Sequence, residues 1–309
     1  MASASKPIGL WLTIFASIVL SVCNAFSAEV SITMDDPSLE SGLPFSANEK
    51  NTRILEALRK HDAQAVLFVC GKRVDSPAGM SLIKAWQKEG HWLGNHTYSH
   101  ENFNSNEQSF EIFSADAAKG EKVVQGLAGF HKVFRFPFLK EGDSSEKRDQ
   151  MRAFLVKNGY SQGYVTIDAS DWYISDRLRQ RLKGNPKADL RPYRDFYLKH
   201  IWDRAQFYNG LSKKVLGREV KHTLLIHHNM LNALFLDDLL SMFESKGWKV
   251  IAAKDAFQDP VFRSNPKTAP AGESILWALA KETGKYDQTL RYPGESDAYE
   301  KDEMDRLGL

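Results

Sequence analysis

The sequence predicts an α/β fold, a (β/α) barrel of near seven strands, and three observations predict it. Short runs rich in β-branched and aromatic residues recur along the chain, and each is followed by a longer segment with helical spacing of its apolar residues. Glycines stand just past the helical runs and just before the strands, at Gly90, Gly159 and Gly247, where a helix needs a left-handed stop. Such alternation makes parallel βα units, and a count near seven suits a barrel slightly smaller than the eightfold form. An open doubly wound sheet satisfies the same alternation and is the alternative.

Taken in order, strands are expected at 30–34, 65–69, 91–93, 133–136, 163–167, 223–226 and 249–251. The helices expected between them are 48–60, 80–88, 107–127, 146–157, 193–216 and 234–245. After Asp259-Pro260 the composition shifts toward Ser, Pro, Lys and Glu, with one short amphipathic helix at 274–281 and a loosely held tail from Glu282 onward.

The N-terminus differs from the rest. Lys6 precedes an apolar run from Ile8 to Val22, and small residues follow at Ala25, Ser27 and Ala28, the layout of a secretory signal peptide over residues 1–28. A run of about fifteen residues falls short of the roughly twenty that a membrane span needs, so no stable transmembrane span is expected. Secretion or periplasmic export follows, and Leu20-Ser21-Val22-Cys23 loosely resembles a lipobox that would anchor the chain through Cys23. Cleavage at Ala25 or Ala28 leaves Cys70 alone, which excludes a structural disulfide and makes Cys70 a buried small hydrophobe.

A formal net charge of +2 gives no case for nucleic acid as a partner. One segment, 173–221, departs from that balance, with about a dozen Lys and Arg against about five Asp and Glu, interleaved with Tyr193, Phe196, Tyr197, Trp202, Phe207 and Tyr208. It reads either as a solvated helical face over a packed aromatic stripe or as a wall that binds an anionic glycan.

Five elements carry chemistry, each at the end of an expected strand, where a parallel barrel collects its reacting groups. Asp35-Asp36 ends the first strand, and two adjacent carboxylates leaving a strand point in different directions, so one can bind a metal while the other stays free. His96 and His100, in Gly94-Asn95-His96-Thr97-Tyr98-Ser99-His100, share one face if the segment turns helically. Two imidazoles and a carboxylate suit zinc and leave a coordination position open. Arg135, in Phe134-Arg135-Phe136-Pro137-Phe138, places a guanidinium where it can hold a carboxylate in its ionised form. Asp168 and Asp171 precede Trp172 at a fourth strand end, and an apolar fifth strand delivers His227 and His228.

In chain order these elements read DD, HxxxH, RxPF, DxxDW and LxxH, and the ordered set resembles the five motifs of the polysaccharide deacetylase family, the NodB-homology domain of carbohydrate esterase family four. The resemblance spans roughly residues 30 to 262 and implies a distorted (β/α)7 barrel with a metal at its mouth. It divides the chain into a signal peptide at 1–28, a deacetylase domain at 29–262 and a C-terminal extension at 263–309. It further implies Asp36, His96 and His100 as ligands of a divalent metal, most naturally Zn2+, with Asp35 as general base and Arg135 steadying it. Phe138 stands where the family has Tyr, in a place that supplies a backbone N–H to an oxyanion. One of Asp168 and Asp171 would raise the pKa of the catalytic imidazole, Trp172 would wall the acetyl pocket, and His227 would be the general acid. Adjacent His228 is the rival for that last role, or a contact to substrate. Pro37 replaces the Gly that usually follows the paired aspartates.

The activity so implied is removal of N-acetyl groups from N-acetylglucosamine units of a cell-wall or matrix glycan, peptidoglycan or chitin-like. An O-acetyl esterase acting on a xylan-type polysaccharide needs the same groups. Two readings of other classes are a catalytically silent glycan-binding protein and a metal-free sugar-processing barrel that uses Asp168 and Asp171 as paired carboxylates.

Overall fold

In a computed structural model of the chain, the structure describes Met1, residues 28–290 and residues 296–309. The expected signal peptide and Cys23 lie outside the described residues, apart from Met1 and Ala28. Nine strands and eleven helices follow one another among the described residues. The first half runs β1 (Ala28–Asp35), α1 (Ala47–Lys60), β2 (Val66–Val69), α2 (Gly71–Val74), α3 (Pro77–Lys88), β3 (Trp92–Asn95), α4 (Phe110–Val124), β4 (Phe130–Phe134), β5 (Lys140–Gly142), α5 (Ser145–Lys157) and β6 (Ser161–Gln162). The second half runs α6 (Asp171–Gly184), α7 (Arg191–Leu216), β7 (Lys221–His227), α8 (Met230–Ser245), β8 (Trp248–Val250), α9 (Ala253–Ala256), β9 (Ala271–Gly272), α10 (Ile275–Thr283) and α11 (Lys301–Leu307).

Seven strands form one parallel sheet in the order β6-β4-β3-β2-β1-β7, with β8 pairing the start of β1. The run that leaves β6 continues across to β7, where Ile167 bridges Leu224, so the sheet curls into a distorted barrel. The expected fifth strand at 163–167 is not a regular strand: β6 at 161–162 precedes it, and residues 164–167 leave β4 to reach β7. Registers align the strand ends. Asp35 lies opposite His227 across β1 and β7, Val69 opposite Asn95, and Asn95 opposite Phe134. The residues that follow each strand therefore gather at one rim.

Local sequence sets the helix ends. Ser46 and Glu49 close a capping box on α1, each accepting from the other's backbone N–H, which satisfies two donors that a helix start leaves unpaired. Pro77 opens α3 behind the Ser76 cap, and Gly217, at φ 69°, closes α7. The apolar faces of α7 and α8 pack on the sheet, burying Tyr197, Ile201, Tyr208, Leu236, Leu239 and Phe243. The aromatic stripe of 173–221 is thus core, and of its two readings the packed helical face holds. A second cluster stacks Phe103, Phe113 and Phe136 beneath β4.

The C-terminal extension departs from expectation. β9 pairs antiparallel with β5, Ile275 N–H donates to Val165 O at 2.8 Å, and α10 packs on α7. Residues 296–309, expected to be loosely held, bury Met304 completely and place Glu300 against Arg204 at 3.1 Å. Arg177 holds Asp305 at 2.7 Å and also donates to the Leu309 carbonyl. One buried methionine and one buried ion pair tie down a segment whose composition is otherwise polar. Among the described residues no helix is long and apolar enough to cross a membrane.

Candidate active site

At the rim, a cavity of about 320 Å3 is lined by Asp35, Asp36, His96, His100, Phe138, Asp168, Trp172 and His227 among others. Three of these converge: ligand atoms of Asp36, His96 and His100 lie within 4.8 Å of one another. Asp36 follows β1 with φ at 60°, a left-handed turn that swings its carboxylate away from that of Asp35. The HxxxH segment is not helical as expected. It is a loop with left-handed residues at Thr97 (φ 62°) and His100 (φ 61°), yet it brings the two imidazole centroids to 4.9 Å.

Side chains around that loop hold its shape. Asn95 Oδ1 accepts from Thr97 N–H at 2.9 Å, and Thr97 Oγ1 accepts from His100 N–H at 3.1 Å. Asp116 on α4 takes the Tyr98 and Ser99 N–H groups at 3.1 and 2.9 Å. Gly120 lets α4 approach this closely, since a Cβ there would sit 2.5 Å from the Thr97 carbonyl carbon.

The donor set fits a divalent cation. Burial holds His96 neutral, its pKa lowered to about 3, and lowers that of His100 as well. His96 Nδ1–H donates to Arg135 O at 2.8 Å, which fixes the tautomer and turns the Nε2 lone pair toward the cluster, the outer-shell arrangement metal-binding histidines use. Asp36 Oδ1 is buried with no hydrogen-bond partner. Neutral imidazoles and a carboxylate oxygen left unsatisfied suit zinc or a similar ion.

Asp35 is 3% exposed and lines the same cavity. Arg135 Nη1 donates to its Oδ1 at 2.7 Å, while Arg135 Nε is anchored on Gly163 O at 2.9 Å. Burial pushes the Asp35 carboxyl up, and the Arg135 guanidinium, pulling the other way, offsets only part of that rise. The buried guanidinium also stacks over Phe68, 4.0 Å from the ring centroid.

His227 faces Asp35 across the sheet. Burial alone would lower its pKa, but Asp171 Oδ1, 2.7 Å from Nδ1, raises it to about 9. Burial works against the charge of Asp171, but the facing His227 and the donors on its Oδ2, His227 N–H, Asn229 Nδ2 and Asn232 Nδ2 at 2.9, 2.8 and 2.9 Å, lower its pKa. Of the two acids expected to act on an imidazole, Asp171 is the one in contact. Asp168 lies buried on the floor of the cavity, where Arg135 feels its charge.

His228 departs from the expectation of a rival acid, although it lines the cavity that adjoins the cluster. Strand alternation turns its ring away from the cluster, Nδ1 accepts from Ser38 N–H at 3.3 Å and Nε2 donates to Asn51 at 3.0 Å, so both nitrogens are used internally. Burial lowers its pKa to about 3.

Phe138 adopts φ 56°, as does Leu139, a conformation that costs a non-glycine residue roughly 1–3 kcal/mol and is held here by surrounding contacts. Glu273 N–H donates to Leu139 O at 2.9 Å, and the Phe138 ring meets His100 edge-on at 4.7 Å. Arg73, Ala169, Leu139 and Leu225 also line the cavity and were not anticipated. Arg73, whose Nε lies 3.4 Å from Asp36 Oδ1, follows the end of β2, and that strand-end position was the one signal that pointed to it.

The sequence profile described as polysaccharide deacetylase matches residues 26–160, the part that carries Asp35, Asp36, His96, His100 and Arg135. A peptidoglycan-N-acetylglucosamine deacetylase from Bacillus cereus is 28% identical over 165 residues, covering 51% of this chain and 52% of its own length. An uncharacterized 30.6 kDa protein of Geobacillus stearothermophilus is 36% identical over 156 residues, 47% of this chain and 53% of its own. The chain thus spans about half the length of the curated relatives it matches. Among solved structures, a mutant of the peptidoglycan deacetylase PdaC from Bacillus subtilis superposes with a TM-score of 0.50 at 20% identity, over 75% of this chain and 90% of that one. A carbohydrate esterase family four pseudoenzyme from Bacillus anthracis superposes with a TM-score of 0.50 at 18% identity, over 74% and 64%. At such identities the likeness is one of fold. Profile match, relatives and shared architecture together make this chain similar to the polysaccharide deacetylase family over its N-terminal half.

Proposed function

We propose that this protein is a metal-dependent hydrolase that removes the N-acetyl group from N-acetylglucosamine units of an exported glycan, with peptidoglycan as the favoured substrate. The observation that carries the reading is that a buried carboxylate, Asp35, and a raised-pKa imidazole, His227, line one cavity with the three-ligand cluster. The favoured glycan rests on the Bacillus cereus relatives bearing that activity in their names. In this reading residues 1–28 are an export signal, 29–262 the deacetylase domain and 263–309 an extension.

Asp36, His96 and His100 would hold the divalent metal, in our reading zinc. When bound, it supplies Lewis acidity that lowers a water's pKa toward about 7 and polarises the acetyl carbonyl. The rest falls to the protein. Asp35, with its pKa raised, accepts the proton of the attacking water, and Arg135 keeps the carboxylate oriented by gripping its other oxygen. The Phe138 backbone N–H would donate to the developing oxyanion, from a left-handed residue at the cavity edge. His227, protonated below about pH 9, donates to the leaving amine, which would otherwise depart as an unstable anion. Trp172, Leu139 and Leu225 give the acetyl methyl an apolar wall.

Acetate release from N-acetylglucosamine oligomers, O-acetylated xylo-oligosaccharides and peptidoglycan tests this, using wild type and Asp35→Asn. The account expects wild-type release from the N-acetyl substrates and a loss of about 100-fold or more in the variant, in keeping with general-base contributions. Faster release from the xylan oligomers reassigns the chain as an O-acetyl esterase. Release no different between wild type and variant, with glycan still bound, makes it a silent binding protein.

A further inference from the structure

Beside the cavity at the three-ligand cluster lies a second one of about 220 Å3, which shares Asp36, Arg73, Trp172 and His227 with it and so continues the same cleft. Its wall includes Lys50, which comes from α1 and is only 3% exposed. An ammonium has three hydrogens to donate, but Lys50 Nζ makes one hydrogen bond, to the Glu40 carbonyl at 3.1 Å. Among the described residues no carboxylate pairs with it. Three acids line the same chamber, and two of them, Glu40 and Asp176, are taken by Arg179, at 3.3 and 2.7 Å. Arg73 faces Asp36, the carboxylate that our reading commits to a metal. Of the three cations in the chamber, Lys50 is the one without a carboxylate partner, and a metal on Asp36 would draw that carboxylate from Arg73 as well.

Burying a charge without a partner costs several kcal/mol unless something in the working complex supplies the partner. Resting on the deacetylase reading, we propose that this second chamber receives a carboxylate borne by the sugar next to the acetylated one, paired with Lys50 and Arg73. Burial lowers the Lys50 pKa to about 8, so the empty chamber disfavours its charge, and an anion seated there restores it. A neutral homopolymer would offer the ammonium hydroxyl and amide acceptors but no compensating charge. The glycan this cleft fits is one in which an N-acetylated sugar alternates with an anionic one, through either a lactyl ether or a uronate.

The test uses the full, metal-loaded chain as wild type and as Lys50→Gln, which keeps a donor for the Glu40 carbonyl but removes the charge, with Lys50→Met as a second variant. Substrates are neutral N-acetylglucosamine oligomers, alternating oligomers with N-acetylmuramic acid, alternating oligomers with a uronic acid, and carboxyl-reduced forms of both. The proposal expects KM for the carboxylated oligomers to rise about tenfold in Lys50→Gln with kcat unchanged, and KM for the neutral oligomers to stay level. Carboxyl reduction should raise the wild-type KM by a similar factor and leave the variant indifferent. Which alternating oligomer shows the effect names the source of the carboxylate. Equilibrium binding of the same oligomers reads the contact even if no acetate is released, so failure of the deacetylase reading and failure of this one are told apart. Equal KM changes on neutral and charged oligomers, or a wild type indifferent to carboxyl reduction in both kinetics and binding, overturn it.

Discussion

Replacing Asp171 by Asn would uncouple the proposed acid from the charge that keeps it protonated. Three N–H donors already point at Oδ2 of Asp171, from His227, Asn229 and Asn232, so an amide must keep its carbonyl oxygen on that side. Its NH2 then faces His227 Nδ1, where a carboxylate oxygen stood at 2.7 Å. Without the carboxylate, burial dominates and the imidazole falls from about 9 to its ordinary value of about 6.5 or below. At pH 8 the protonated fraction drops from about 0.9 to about 0.03, close to a 30-fold loss of kcat/KM, whereas at pH 6 the two enzymes differ less than about twofold from this cause. The sign for stability follows from the same shift. A pKa raised on folding contributes stability that is whole below about pH 6.5 and lost as pH climbs through about 9, worth about 3 kcal/mol in the metal-free wild type and absent from the variant. Acetate release from pH 5.5 to 9.5, with thermal melts over the same range, measures both. A variant equally impaired at pH 6 and pH 8, or one whose alkaline limb coincides with wild type, would refute the assignment of His227 and Asp171.

Two further outcomes are expected. Asn95→Ala removes the acceptor of Thr97 N–H and the donor to Ala117 O, both buried, and should cost about 2–4 kcal/mol in urea denaturation while weakening metal binding at least tenfold, because the loop bearing His96 and His100 loses its brace. Unchanged metal affinity would show that the loop holds its shape without Asn95. Glu300→Gln leaves the buried Arg204 without the carboxylate at 3.1 Å and should destabilise the chain by about 3 kcal/mol with kcat unaltered, whereas a loss within 0.5 kcal/mol would mean that the C-terminal segment is not tied down by this pair.

Much of the site was legible because the chemistry-bearing residues end apolar strands. Val30 to Met34 and Leu224 to Ile226 announce buried strands, and in a parallel sheet whatever follows such a strand arrives at one rim, so Asp35 and His227 could be placed without knowing their register. The register itself, with those two opposite each other, depends on the β1 and β7 pairing across more than 180 residues and has no local signature. The HxxxH spacing suggested a helical face, but the rings meet through left-handed residues at Thr97 and His100, whose N–H groups go to Asn95 Oδ1 and Thr97 Oγ1 while Asp116 accepts from the two residues between them. His228 was ambiguous from sequence and is decided by alternation along one strand end. Helix α6 carried a signal in Ile174, Leu178 and Leu182, four residues apart on one face, which the surrounding run of Arg and Lys masked. The docking of the tail rests on Glu300 and Met304, single residues whose partners lie far away in the chain.

The account turns on whether Asp36, His96 and His100 hold one ion that the reaction needs. Zinc titrated into chelator-treated protein, with bound metal and acetate release from N-acetylglucosamine oligomers followed together, measures this directly. One equivalent should bind and restore activity in proportion, and Asp36→Ala and His100→Ala should neither bind it at micromolar concentration nor recover. Full acetate release from the stripped protein, or stoichiometric zinc binding that survives both substitutions, would contradict the central claim.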